Sequence, residues 1–174
     1  ANISTRPSPT TADDVLHDMN GRIAAVIDGG PCQIGLESTV VGIEGDEIVI
    51  YRPGGTTKEA LSAIAPTTVD SALAKDGAHP KAPGMKYRHY APSAPLTVYT
   101  GEAGKVAEEI FSFAEKTDKK YGFFVSEETA RLLPKGLPVF VWGHREDKES
   151  FAHNLFSGLL YFNRHPVDAI IGEG

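Results

Sequence analysis

From Lys81 to Pro95 the chain reads K-A-P-G-M-K-Y-R-H-Y-A-P-S-A-P, with three prolines inside the stretch and a fourth at Pro80 just before it. Proline removes a backbone donor and fixes φ, so this stretch suits neither a central strand nor an amphipathic helix. It is predicted to be an extended connector, and it divides whatever folds before it from whatever folds after it. Taken alone, such a stretch reads as a semi-rigid spacer. It also carries Lys86, Arg88, His89 and Tyr90. Cationic, hydrogen-bonding and ring-bearing side chains of this kind can lie over an anionic planar ligand, so the second reading is a linker that doubles as a lid.

A chain of 174 residues with 41% hydrophobic content has room for one comfortable domain or two small ones. Acidic residues outnumber basic ones by 23 to 17, a formal charge of −6, which argues against a broad electrostatic grip on nucleic acid. The basic group around Lys81 to Arg88 is the one local exception. The single cysteine, Cys32, cannot form an internal disulfide, lacks a catalytic companion and is read as structural. A reducing, cytoplasmic setting fits this usage. No run approaches the ~20 apolar residues of a membrane span, so no membrane partner is expected. No His/Cys cluster has metal-ligand spacing, so no metal site is predicted from side chains; His153 reads as a packing residue, and His17, His79, His144 and His165 have no partner spacing.

Before the connector, Thr10 or Thr11 is placed to cap a helix with Asp13 or Asp14 in its first turn, Val15, Leu16 and Met19 on one face, and Gly21 as its stop. Prolines and hydroxyls leading into a helix start either cap it or offer a phosphate site. Ile23 to Ile27 reads as a short strand. Ile34 to Ile43 and Glu47 to Arg52 flank Gly45-Asp46 as a hairpin. Ser38 and Thr39 then fall inside an apolar strand, where they face either a core that must satisfy them or a cleft where they hold a polar ligand. Arg52-Pro53-Gly54-Gly55 follows, with Thr56 to Glu59 spaced as a capping box. An arginine at a strand end beside a glycine turn is placed to pair with phosphate, or simply to finish the turn.

From Pro66 to Pro95 regular periodicity is absent. Beyond it, strands at 96–99, 121–125, 138–142 and 167–171 alternate with helices at 103–116, 127–133 and 148–162, so a parallel sheet with packed helices is expected. The turn Thr100-Gly101-Glu102-Ala103-Gly104 lacks the third glycine of a dinucleotide fingerprint, which disfavours a nicotinamide cofactor.

In order and spacing, A-N-I-S-T-R-P-S-P-T, D-G-G-x-x-x-x-G-L-E-S-T-V-V, Y-R-P-G-G-T-T-K-E and the connector itself resemble the long-form threonylcarbamoyl-AMP synthases, the Sua5 branch of the Sua5/YrdC/YwlC family. The resemblance covers the whole chain. It implies an α/β fold: residues 1–65 as the C-terminal part of a YrdC-like catalytic domain, 66–95 as linker or lid, and 96–174 as a Rossmann-like, C-terminally incomplete Sua5 domain. It also implies an activity, the synthesis of L-threonylcarbamoyl-AMP from L-threonine, bicarbonate and ATP with release of pyrophosphate. Mg2+ is expected with the nucleotide, and the product would pass to a threonylcarbamoyl-transferase machinery that modifies adenosine 37 of tRNA, so tRNA is only an indirect partner. Position by position, the resemblance makes Asn2 a catalytic-site residue, puts Ser8, Arg52 and Tyr90 on ATP and Ser38 on L-threonine. The family's N-terminal half, with its own K-x-R and P-T-E-T elements, has no counterpart here. The chain is therefore expected to hold half of an active site and to be inactive alone. The alternative is a nucleotide-sensing or partner-docking module without catalysis.

Overall fold

The structure, a computed structural model, describes residues 2–3, 5–71, 91–114 and 118–174. By contacts the chain forms two compact units, Leu36–His89 and Ala1–Gly35 together with Tyr90–Gly174. The connector from residue 72 to 90, including Tyr90 and the lid it was expected to form, lies outside the described residues.

In the larger unit, helix α1 spans Ala12–Met19 and is capped as its sequence predicts. The Thr11 hydroxyl accepts from the Asp14 backbone N–H, and the Asp14 carboxylate accepts from the Thr11 N–H, closing a capping box. The face it buries differs from the predicted apolar stripe. Asp14 and Asp18 are buried while Leu16 is 45% exposed, because the surroundings of this helix are hydroxyls and arginines rather than a core. The strand expected at Ile23–Ile27 does not form either; Ile27 is 96% exposed. An apolar run becomes a strand only when a neighbouring strand takes up its backbone groups, and among the described residues none pairs with it.

The smaller unit holds strands β1 (Val40–Glu44) and β2 (Glu47–Arg52), paired antiparallel across the predicted Gly45-Asp46 turn. Helix α2 (Lys58–Ser62) follows, capped by Thr57, one residue beyond the box expected at Thr56. Thr56 has another partner, described below. Strand β3 (Thr67–Val69) then pairs parallel to β2, inside the stretch whose sequence shows no periodicity. Three residues are too few to display an alternating pattern, and the pairing comes from β2.

Residues 96–174 follow their pattern closely. Strands β4 (Leu96–Tyr99), β5 (Tyr121–Val125), β6 (Val139–Val141) and β7 (Ala169–Glu173) form an all-parallel sheet in the order β4-β7-β5-β6. Between them lie α3 (Ala103–Ala114), α4 (Glu127–Ala130) and α5 (Lys148–Arg164). All five residues of β5, Y-G-F-F-V, are buried, and the period of two sorts them to opposite faces. Tyr121, Phe123 and Val125 join Val106 and Ile110 of α3, with Leu133 and Ile171. Phe124 joins Phe162 of α5, Trp142 and Ile170. The sheet is thus covered on both faces. Among the described residues no helix is long and apolar enough to cross a membrane.

Candidate functional site

In the smaller unit, the residues leaving the hairpin meet those entering it. Ser38 and Thr39 precede β1 rather than lying inside a strand. Their backbone is held against the turn after β2 because residue 54 is glycine: a Cβ there would stand 2.4 Å from the Glu37 carbonyl oxygen and the Thr39 nitrogen, closer than any side chain tolerates. Gly55 N–H donates to the Glu37 carbonyl at 3.0 Å. Thr39 Oγ1 accepts from the Thr56 N–H at 3.0 Å and donates to the Thr56 carbonyl at 2.7 Å. The two segments are therefore stitched by backbone and by one hydroxyl.

Across that seam lies Arg52. Its Nε and Nη2 donate to the Ser38 carbonyl at 3.2 and 2.9 Å, and Nη2 reaches the Ser38 hydroxyl at 3.0 Å. Nη2 also lies 3.2 Å from Glu37 Oε2, with only 13% of the arginine side chain and 20% of the glutamate exposed. The two residues predicted for different substrates, Ser38 and Arg52, are thus in direct contact. Glu37, absent from the residues expected at the site, completes the charge balance. Its signal was available in the adjacency of E-S-T to a serine already under suspicion, but an ion pair across 15 residues is invisible to local pattern.

Asn2 and Ser8 belong to the other unit. The Asn2 side-chain amide donates to the carbonyls of Ile3 at 3.0 Å and Arg6 at 3.2 Å, which shapes its own loop. Ser8 is half-buried after the fully buried Pro7. Arg6 pairs with the buried Asp18 at 2.5 Å, and Asp18 also accepts from the Ile3 N–H at 3.0 Å. The helix start offered as a phosphate site is occupied from within: Asp14 Oδ2 accepts from the Thr10 N–H, the Thr10 hydroxyl and the Thr11 N–H, each at 3.1 Å, and Oδ1 pairs with Arg164. Burial raises the Asp14 pKa, but the hydrogen bonds from Thr10, Thr11 and Arg164 outweigh it and hold the carboxyl below its ordinary 3.8.

The same segment rests on α5. Thr10 Oγ1 and Ser157 Oγ are 2.8 Å apart, and His153 Nδ1 is 2.7 Å from the Gln33 carbonyl. Gly35, at φ +75°, sits so close to the His153 carbonyl that a Cβ would be 2.0 Å from its oxygen. His153 is therefore a docking residue for residues 33–35 rather than a packing one. Two further sequence expectations change. His144 does have partners, Glu127 and Glu128 at 3.5 and 3.3 Å, and Cys32 is exposed, so it fills no core. His144 lies in the loop after β6 and its partners open α4, so tertiary structure sets their spacing.

A sequence profile described as "Threonylcarbamoyl-AMP synthase, C-terminal domain" matches residues 56–174, and one described as "Telomere recombination" matches residues 1–54. The threonylcarbamoyl-AMP synthase of Bacillus subtilis is 41% identical over 174 residues, covering 99% of this chain and 50% of that protein. That of Pyrococcus abyssi is 40% identical over 187 residues, covering 100% of this chain and 51% of that protein. The crystal structure of P. abyssi Sua5 complexed with L-threonine superposes with a TM-score of 0.74 at 38% identity, over 99% of this chain and 50% of that one. The chain spans about half the length of the relatives it matches.

Proposed function

This chain belongs to the threonylcarbamoyl-AMP synthase family, and from that membership we propose that it serves in making L-threonylcarbamoyl-AMP from L-threonine, bicarbonate and ATP, with pyrophosphate as the other product. The amine of threonine takes up carbon dioxide or bicarbonate as a carbamate, whose oxygen attacks the α-phosphorus of ATP. Such a transfer needs positioning and neutralisation of charge more than a covalent nucleophile.

The observation that carries this reading is the contact between Ser38 and Arg52. Ser38 is proposed to hold L-threonine and Arg52 to stand on the ATP side, so a 3.0 Å hydrogen bond between them supports adjoining places for the two substrates. Arg52 also fixes the Ser38 backbone, and Glu37 fixes Arg52. Asn2 is proposed as a catalytic-site residue, with Ser8 and Tyr90 as further nucleotide contacts. Mg2+ is proposed to arrive with the nucleotide. Bound through phosphates and water it needs no cluster of protein ligands, and among the described residues no group of three or more His, Cys, Asp or Glu could hold a metal. Residues 1–65 are proposed as the C-terminal part of the catalytic domain, 66–95 as linker and 96–174 as the Sua5 domain. The proposed setting is the cytoplasm, with the product handed to the machinery that modifies tRNA.

Two measurements test this. In the full-length enzyme, Arg52→Ala removes charge-assisted hydrogen bonds worth about 1.5–3 kcal/mol, so threonine- and bicarbonate-dependent ATP–pyrophosphate exchange should need roughly ten- to more than a hundredfold more ATP. Unchanged kinetics in ATP would confine Arg52 to shaping the turn. The 174 residues alone, without the K-x-R element of the family's N-terminal half, should show no such exchange, and robust exchange by the verified chain would overturn the half-site reading.

A further inference from the structure

Nothing in the proposed synthase chemistry uses the carboxyl edge of the parallel sheet, where β5, β6 and β7 end. A cavity of about 220 Å³ opens there, lined by Trp142, Arg145, Lys148, Phe151, Glu173 and Gly174. In open parallel sheets this edge is the usual ligand crevice, because strand ends and helix N-termini converge there and the connections diverge to opposite faces.

The lining has an apolar floor and one charge left over. Trp142 and Phe151 meet edge to face, with ring centroids 5.0 Å apart at 85°. Glu173, its side chain 1% exposed, accepts from the Ser126 N–H at 2.9 Å and hydroxyl at 2.8 Å through Oε2, while Oε1 lies 3.1 Å from Arg145 Nη1. Arg145 also donates to the Gly101 carbonyl. Glu173 and Arg145 thus neutralise one another and brace the edge. Lys148, the first residue of the 17-residue α5, makes no ion pair among the described residues and stands at the positive end of that helix. Two nearby acids are engaged elsewhere: Asp147 accepts from the Ser150 N–H at 3.0 Å and hydroxyl at 2.7 Å, and Glu128 accepts from the Arg145 N–H at 3.2 Å and contacts His144.

We propose that this cavity binds a small ring-bearing anion, its ring system packed against the aromatic wall of Trp142 and Phe151 and its phosphate or carboxylate paired with Lys148. The volume fits that size: pockets for drug-sized ligands run to about 300–1,000 Å³, so an intact nucleoside triphosphate exceeds this one. Its lining shares no residue with the proposed ATP contacts, and it gives the C-terminal domain a binding role of its own.

Trp142 is the only tryptophan of the chain, so its fluorescence reports from the cavity wall. Titrating AMP into the 174-residue chain should give a saturable change. Adenosine, which lacks the charge, should bind at least about tenfold more weakly, and inorganic phosphate, which lacks the ring, should give no change. Lys148→Ala, a change at an exposed helix start, should erase the preference for AMP over adenosine, and Arg52→Ala should leave the titration as it is. Three outcomes overturn the proposal: no saturable change at millimolar AMP, equal affinity for AMP and adenosine, or a signal lost in Arg52→Ala and kept in Lys148→Ala. The last would assign the nucleotide to the Ser38–Arg52 seam.

Discussion

The two sheets of this protein reach order by different routes. The β4–β7 sheet is all parallel, covered by helices on both faces, and its central strand is buried along its whole length. The β1–β3 sheet buries only Val49 and Ile50 among its apolar side chains, while Ile43 is 81% exposed. What fixes the smaller sheet's loops is polar: the Arg52 guanidinium, the Thr39 hydroxyl and the close approach at Gly54. A core thus holds one sheet through burial, whereas a polar seam fixes side-chain positions in the other with little burial behind it. Burial is concentrated in the parallel sheet, while Ser38 and Arg52, the residues proposed to hold the two substrates, lie at the less buried seam, as expected where binding elements come from the less stable part of a structure.

The largest break should come from the parallel sheet. Phe123, 1% exposed between α3 and β7, loses its ring in Phe123→Ala at a cost of about 3–5 kcal/mol, read as a lower denaturation midpoint. Amide exchange of β1 and β2 should be nearly unaffected; a matching rise there would mean that the two sheets melt as one. A smaller effect is expected from Gly54→Ala, whose new methyl group must push the Glu37–Thr39 backbone aside at about 1–3 kcal/mol. In the full-length enzyme this should weaken threonine binding while the parallel sheet keeps its melting temperature. Intact threonine affinity would show that the seam can shift without moving Ser38.

The smallest effect concerns Asp14 and pH. Its folded pKa lies below the unfolded 3.8, so the carboxylate stabilises the docked segment fully at pH values above 3.8 and ceases to as pH falls through the folded value. Arg164, the partner on α5, is 35% exposed, which weakens the pair by solvent screening. Protection of the Thr10 and Thr11 amides, taken relative to their intrinsic exchange rates, should fall below pH 3.8, and Asp14→Asn should be less protected at neutral pH with a flatter acid response. An unchanged acid response in that variant would remove Asp14 as its origin.

The residue pattern specified the parallel sheet, since short apolar runs alternate with striped helices from Leu96 onward. It also determined the hairpin at Gly45-Asp46, the cap at Thr11, and the suspicion attached to Asn2, Ser8, Ser38 and Arg52 through the motifs around them. Local pattern reads these because the interactions involved span few residues. Long-range packing settled that Asp14 and Asp18 are buried and Leu16 is not, that Ile23–Ile27 pairs with nothing among the described residues, and that Thr56 binds Thr39 rather than capping α2. It alone brought Glu37 to Arg52 and Glu173 to Ser126 and Arg145. In each of these the deciding partner is at least a dozen residues away or is a missing strand neighbour, and the free energy of a polar contact depends on which groups share its buried volume, a quantity that no window of sequence contains.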